Sequence, residues 1–404
     1  PSRPARTAPF HRSPGYVLPH LPDRRPPMRK RSPFLTHLLS LPSLGASALA
    51  AGLLLAVGTA WPATAGPSHP AGANVPAAVA DSAPGKPVTV SEGWSIPWGL
   101  SWLPDGSALL TERDTFKVFS LTQDGKKKEV GKVPEVVTTG GEGGLLSIAV
   151  SPKWKSDHHV FVMHTAKEGN RIARLTYQDG KLSDYTVLVK GIKKNTYHNG
   201  GRIKFGPDGL LYATTGEAQT PDLAQDKKSL NGKVLRMTPD GKPAPGNPFG
   251  NLVYSYGHRN PQGLTWDAQG RLWEAEFGNA KYDELNLIES GKNYGWPVCE
   301  GTCSDDGMTN PKRQWPVKDA SPSAVTYADG ALYMAALRGQ RLWRIPVDGT
   351  TAGTPKAYYT KDYGRLRTVE AVPGTKALWL TTTNADNNGD GGAGSDKVFR
   401  IDLK

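Results

Sequence analysis

Past residue 90 the chain repeats one short pattern. An aromatic or apolar residue enters a Pro-Asp-Gly turn or its equivalent, and an alternating apolar run leaves it. The copies are Trp102-Leu103-Pro104-Asp105-Gly106, Val150-Ser151-Pro152-Lys153-Trp154, Phe205-Gly206-Pro207-Asp208-Gly209, Trp266-Asp267-Ala268-Gln269-Gly270, Tyr327-Ala328-Asp329-Gly330 and Ala371-Val372-Pro373-Gly374. Proline presets the second turn position and glycine accepts a positive φ, so these copies predict tight turns. The runs that follow, such as Leu211-Tyr212-Ala213-Thr214 and Ala377-Leu378-Trp379-Leu380, are rich in strand formers. The turns fall near 105, 157, 208, 267, 329 and 374, at spacings between 45 and 62 residues. Such spacings lie in and just above the ~40–50-residue range of four-stranded blades. The expectation is an all-β, six-bladed β-propeller with four-stranded blades, closed so that blades cover one another's edges. A parallel β-helix would need shorter, more regular turns. Paired β-sandwiches would not account for one recurring motif.

Composition agrees. The 404 residues are 37% hydrophobic and 21% charged, enough to bury a core, and 46 glycines with 34 prolines favour turns over long helices. The formal charge of +12 is unevenly spread: the first 65 residues carry +7 of it, leaving +5 for the rest. A folded part so weakly basic does not point to nucleic acid, and no such partner is expected.

The excess charge belongs to a leader. Arg29, Lys30 and Arg31 precede an apolar stretch reaching Ala60, and Ala63-Thr64-Ala65 follows. This is the order of a secretory signal: basic, apolar, then small residues at the cleavage site. Met28 is the expected start. The organisation predicted is an upstream segment and signal peptide over 1–65, a flexible mature N-terminus over 66–90, and a propeller over 91–404. A permanent anchor is the alternative, but Ala46–Ala60 is short for a span. A secreted protein without stable membrane insertion is expected. Export would permit a Cys299–Cys303 disulfide; two free thiols remain the alternative.

Polar residues gather at loop positions. Gly140-Gly141-Glu142-Gly143-Gly144 surrounds one carboxylate with glycine and lacks the Lys-Ser/Thr of a phosphate loop. His198 lies on a loop before Gly200-Gly201, and Glu217 closes the next strand, where it could orient the ring. A histidine so placed suits a general base. Ser255-Tyr256-Gly257-His258-Arg259-Asn260-Pro261-Gln262-Gly263 packs donors and acceptors into an extended stretch, with Arg259 able to grip paired oxygens. Carbonyls at Gly278 and Asn279 near carboxylates suit a hard cation such as calcium. Arg365 and Arg367 alternate along a strand, so both can face one anion, and Arg338 adds a third cation. Each cluster has a bland alternative: a solvated connector, a polar turn or an edge arginine.

Taken in order, four segments resemble the soluble quinoprotein glucose/sorbosone dehydrogenase family, particularly its aldose sugar dehydrogenase branch. They are Gly141-Glu142-Gly143-Gly144-Leu145-Leu146, His198-Asn199-Gly200-Gly201-Arg202, Gly257-His258-Arg259-Asn260-Pro261-Gln262-Gly263, and Asp283-Glu284-Leu285-Asn286-Leu287-Ile288 leading to Asn293-Tyr294-Gly295-Trp296-Pro297. The resemblance implies a six-bladed propeller that binds pyrroloquinoline quinone (PQQ) and calcium and oxidises the anomeric carbon of an aldose to a lactone. It implies that His198 takes the hydroxyl proton, that Glu217 supports His198, and that hydride passes to the quinone C5 carbonyl. Arg259 and Asn260 would contact the quinone, and Arg365 and Arg367 its carboxylates. Gly278 and Asn279 would offer carbonyls to the cofactor's calcium. Glu284 and the Tyr294 carbonyl would bind a second, structural calcium. Three positions depart from the family: Glu142 for a usual Gln, Glu217 for a usual Asp, and Arg338 for a Lys.

The electrons must leave through an external acceptor, which no haem-attachment motif identifies. The absence of a long insertion between repeats predicts acceptance of many aldoses. A calcium-dependent lactonase or a non-catalytic sugar- or protein-binding propeller would share the fold. The first would favour a carboxylate–amide cage over three arginines; the second would not need His198, Arg259 and the Arg365/Arg367 pair together.

Overall fold

The computed structural model describes residues 82–404; the expected signal segment and residues 66–81 lie outside them. Among the described residues the chain forms six antiparallel sheets, five of them four-stranded and one five-stranded. They are the six blades predicted from the turns. Blade one is Pro97–Trp102, Ala108–Glu112, Lys117–Leu121 and Lys127–Lys132. The innermost strands of blades two to six are Leu145–Val150, Ile203–Phe205, Asn260–Trp266, Pro322–Ala328 and Leu366–Ala371. The repeating turn joins the innermost strand to the second. Gly106 and Gly209 sit there at φ 83° and 73°, where a side chain would be strained. In blade two a single helical turn, Trp154–Asp157, takes its place.

The strands pack because apolar faces meet between blades. Leu109, Val118 and Val130 of blade one lie against Ile148, Val160 and Val162 of blade two, and all six are buried. Each such side chain contributes roughly 1.5–3 kcal/mol on burial. Alternation along each strand therefore serves two interfaces at once.

The ring closes as expected, but the strand that closes it was not anticipated. The fourth strand of blade six is Val88–Trp94, which pairs antiparallel with Asp396–Asp402. Asp396 fastens the seam: its carboxylate accepts the Ile96 N–H at 2.9 Å and the Thr382 hydroxyl at 2.9 Å. The stretch just before is held too. The Tyr333 hydroxyl donates to the Ser82 carbonyl at 2.6 Å, and Pro84 bridges to Leu403. The boundary expected at residue 90 therefore falls inside a strand, and 82–90 is part of the propeller.

The channel is filled rather than open. Arg202 of blade three is fully buried in it. Its Nε donates to the Gln262 carbonyl at 2.9 Å and its Nη2 to the Ser323 carbonyl at 2.9 Å. Nη1 reaches the Trp98 carbonyl at 3.4 Å, and the guanidinium lies 4.3 Å from the centre of the Trp98 ring. Burial lowers the Arg202 guanidinium to about 10, still a cation at neutral pH. Blades one, three, four and five are thus tied through one group.

Replacing Arg202 by Met keeps the bulk and strands these carbonyls. Each orphaned buried acceptor costs about 1–3 kcal/mol. The expected result is a loss of at least ~3 kcal/mol in denaturant-induced unfolding; an unchanged midpoint would refute the channel tie.

Candidate active site

The innermost and second strands of each blade are antiparallel, so the start of one and the end of the other share a rim of the channel. Glu142, His198, Arg259 and Arg365 precede innermost strands. Arg113, Glu217, Gly278, Arg338 and Asp386 follow second strands. All therefore come from the same end of the ring.

His198 stands at φ 60°. Its Nδ1 lies 2.5 Å from Glu217 Oε1, with the ring 18% exposed and Glu217 at 1%. A carboxylate on Nδ1 fixes the tautomer and leaves Nε2 as the acceptor. Glu217 is fixed in turn, since its N–H donates to the Arg259 carbonyl at 2.9 Å. The structure thus pairs the two residues as the sequence suggested.

Glu142 is half-buried and held by the chain. Its Oε2 accepts the His198 N–H at 2.9 Å and the Asn260 amide at 3.1 Å. Asn260 Oδ1 accepts the Gly200 N–H at 3.0 Å. The carboxylate that departs from the family pattern therefore anchors the histidine loop to the start of blade four.

A cavity of about 540 Å³ opens at this rim, lined by Glu142, Arg338, Arg365 and Arg367 among the predicted residues, and by Arg113 and Asp386. Arg365 and Arg367 face one anion, as their alternation allowed, but in place of the ligand expected it is the chain's own Asp386. Arg365 Nη2 donates to Asp386 Oδ2 at 2.9 Å, and Arg367 Nη2 to the same oxygen at 3.3 Å. Burial alone would raise the Asp386 carboxyl, but Arg367 and Arg365 outweigh it and hold it below its ordinary value. Arg367 also donates through Nη1 to Gln262 Oε1 and Ser323 Oγ, at 3.2 and 3.1 Å. Arg338 is exposed at the rim, with no ion pair among the described residues.

Arg259 lies in a smaller cleft with Gly278, Glu284, Tyr294 and Trp296 rather than on the main cavity wall. It grips no carboxylate pair. Its guanidinium donates to the Gly278 carbonyl and, at 3.1 Å, to Asn279 Oδ1. Burial lowers its affinity for a proton, opposed by Glu217 and Glu142. Arg259 Nε and Glu217 Oε2 are both buried without a partner.

Behind this cleft, Glu274 and Glu276 of one strand face Asn286 and Glu284 of the next. The Asn286 amide nitrogen lies 3.1–3.2 Å from an oxygen of each of the three carboxylates. His258 Nδ1 joins at 3.0 Å from Glu276, and its ring stacks on Tyr294. Burial, then repulsion from Glu276, pushes the Glu284 carboxyl up to about 8. The Asn286 oxygen and Glu274 Oε1 are buried without a partner.

The glucose/sorbosone dehydrogenase model matches residues 94–390. The chain belongs to the glucose/sorbosone dehydrogenase family. It is similar to the PQQ-bound aldose sugar dehydrogenase of Streptomyces coelicolor, at 48% identity and TM-score 0.76 over 80% of this chain and all of that one. Quinoprotein glucose dehydrogenase B of Acinetobacter calcoaceticus is 32% identical over 58% of each chain. Aldose sugar dehydrogenase YliI of Escherichia coli is 29% identical over 57% of this chain and 67% of that protein. The matched region spans about three fifths of the glucose dehydrogenase's length.

Within this family member, sequence reasoning missed Arg113 and Asp386. Each follows the second strand of its blade, as Glu217 and Arg338 do, and counting forward from each turn would have flagged both. Glu217→Ala removes the Nδ1 acceptor. Its expected effect is a fall in turnover on the order of 10²-fold, with cofactor affinity nearly kept; equal loss of both would count against an orienting role.

Proposed function

We propose that this protein is a PQQ-dependent aldose sugar dehydrogenase that oxidises the anomeric carbon of aldoses to lactones. The observation that carries the reading is the His198–Glu217 couple, tied through Glu142 to a cavity walled by guanidinium groups. The similarity to a PQQ-bound aldose sugar dehydrogenase supports the same cofactor here.

The residues present fit that cofactor. An acidic quinone needs cations and polar contacts. Arg365 and Arg367 line the cavity together, Arg338 stands at its rim without an ion pair, and Asn260 adjoins through Glu142. Arg259 Nε and Glu217 Oε2 are each left without a partner within the chain, which supports a polar ligand near them. PQQ, when bound, supplies the two-electron oxidising power. The protein's part is proton handling and pose. His198 Nε2 accepts the anomeric hydroxyl proton while Glu217 holds Nδ1 and stabilises the charged ring. Arg259 offers positive charge where negative charge accumulates. Glu142 keeps the histidine loop in register and adds a negative charge that the arginines offset.

Calcium is proposed at two places. Gly278 and Asn279 offer carbonyls beside the cofactor, which requires the Arg259 guanidinium to turn from the Gly278 oxygen. Glu284 and the Tyr294 carbonyl are assigned to a structural ion. The adjoining buried carboxylates and the orphan oxygens of Asn286 and Glu274 support a cation in that region, because a cation would offset their mutual repulsion.

The carboxylate–amide cage expected of a lactonase lies inside blade four, away from the channel cavity. A binding propeller would not need the His198–Glu217 couple. Export is proposed from the leader pattern, and the bonded Cys299–Cys303 pair agrees with an oxidising compartment. Among the described residues no helix is long and apolar enough to cross a membrane. The electron acceptor is proposed to be external, and the substrate range to span several aldoses.

Dye reduction by the cofactor-free protein with an aldose is expected only when PQQ and calcium are both added. His198→Ala should lower turnover by about 10²–10⁴-fold without abolishing PQQ uptake. Activity without PQQ, or an unimpaired variant, would overturn the reading. Separately, Arg365→Ala should weaken PQQ binding by about ten- to a hundredfold, read by titration of its absorbance; unchanged binding would remove Arg365 from the cofactor site.

A further inference from the structure

Between the second and third strands of blade four the chain turns through Gly278-Asn279-Ala280-Lys281. One oxygen, Glu300 Oε1, accepts four consecutive N–H groups there: Asn279 at 2.6 Å, Ala280 at 2.8 Å, Lys281 at 2.8 Å and Tyr282 at 3.1 Å. The Gly278 N–H goes to Asp283 Oδ1 at 2.9 Å. Every amide of the turn therefore ends on a carboxylate. A run of N–H groups converging on one anion is a nest, and the anion fixes the orientation of each peptide.

Peptide planarity carries this further. In a trans peptide the C=O of one residue and the N–H of the next point in opposite directions. The Asn279 N–H shares its plane with the Gly278 carbonyl, and the Ala280 N–H with that of Asn279. Drawing these two N–H groups toward Glu300 turns the two carbonyls away from it. The Gly278 carbonyl accordingly faces Arg259. Gly278 itself must be glycine, because a Cβ there would lie 1.7 Å from the Tyr282 carbonyl oxygen.

Glu300 comes from a different segment, and that segment is pinned. Cys299 is bonded to Cys303, the Gly301 N–H donates to Glu284 Oε1 at 2.7 Å, and the Thr302 N–H donates to Gln314 at 2.9 Å. The carboxylate is thus presented from a braced loop.

We propose that Glu300 is the positioning residue that aims the Gly278 and Asn279 carbonyls, and through them sets the affinity for the divalent cation bound beside the cofactor. This rests on the quinoprotein reading above. Glu300 touches neither substrate nor cofactor in this role; it acts through the turn.

The test uses the full chain and two variants, Glu300→Ala and Glu300→Gln. Amide hydrogen exchange at 279–282 reads the turn. PQQ uptake by absorbance, titrated with calcium, reads the cation site without turnover. Alanine should speed exchange at these four amides and raise the calcium needed for half-loading by about 10–100-fold. Glutamine keeps a carbonyl oxygen in place and should return both readouts to within a few fold of wild type. Faster exchange with an unchanged calcium requirement would mean a purely structural brace and overturn the proposal. So would an alanine variant that matches wild type, or a glutamine variant no better than alanine at an equal melting temperature. A wild-type chain that takes up no PQQ at any calcium concentration would overturn the functional reading and the cation role with it. The exchange data would still show whether Glu300 holds the turn.

Discussion

The structure depends on a buried guanidinium at the centre of the ring. Six sheets around an axis leave a channel that side chains must fill, and the inner strands point backbone carbonyls into it. Water could satisfy those carbonyls only by leaving the centre loose. Arg202 fills the space with five donors in one plane and satisfies acceptors from several blades at once. Its charge is spread over carbonyl dipoles and the face of Trp98 instead of a carboxylate partner. The same Gln262 and Ser323 that receive Arg202 through their carbonyls receive Arg367 through their side chains. The channel plug and the cavity floor are one network, so the geometry of the anion site is inherited from the packing of the ring.

Charge balance at the rim follows from that floor. Arg365 and Arg367 are too close to remain without an anion in a buried setting, and Asp386 answers both. Glu142, negative near a site meant for an acid, is consumed by the His198 N–H and the Asn260 amide. Where the resemblance implies Gln, this carboxylate is engaged locally, one oxygen accepting both bonds. Arg338 is left as the rim cation without an ion pair among the described residues.

Much of this was legible beforehand, and the reason is local. A tight turn needs Pro and Gly at fixed places, so blade number and order could be counted from turns alone. His198 and Glu217 were readable as a pair because one blade carries both. What was not legible joins residues far apart in sequence. Val88–Trp94 is a short, irregular and largely exposed strand, and nothing in it names Asp396–Asp402 as its partner. Asp386 lies in a stretch of Asn, Asp and Gly, 384–396, that suits a flexible acidic loop or a metal site alike, and only the approach of blade six to the channel makes it a clamp. The contacts of Arg259 with the Gly278 carbonyl and the Asn279 side chain were not legible either. Glu300 follows a cysteine in a short loop, and its four amide partners become visible only when blade four folds back on itself.

The closing strand has a consequence for how the protein is made. Ile96 and Asp396 touch across 300 residues of chain. The strand that completes blade six is synthesised before all the others in the ring, and its partner after nearly all of them. Five blades can form from neighbouring segments as they emerge, because their hairpins are short-range. The sixth must wait, with one exposed sheet edge, until the two ends find each other, a slow search because loop closure comes before any reward from contact. Until then the ring is an open arc, and its free edges are templates for pairing with another unfinished chain.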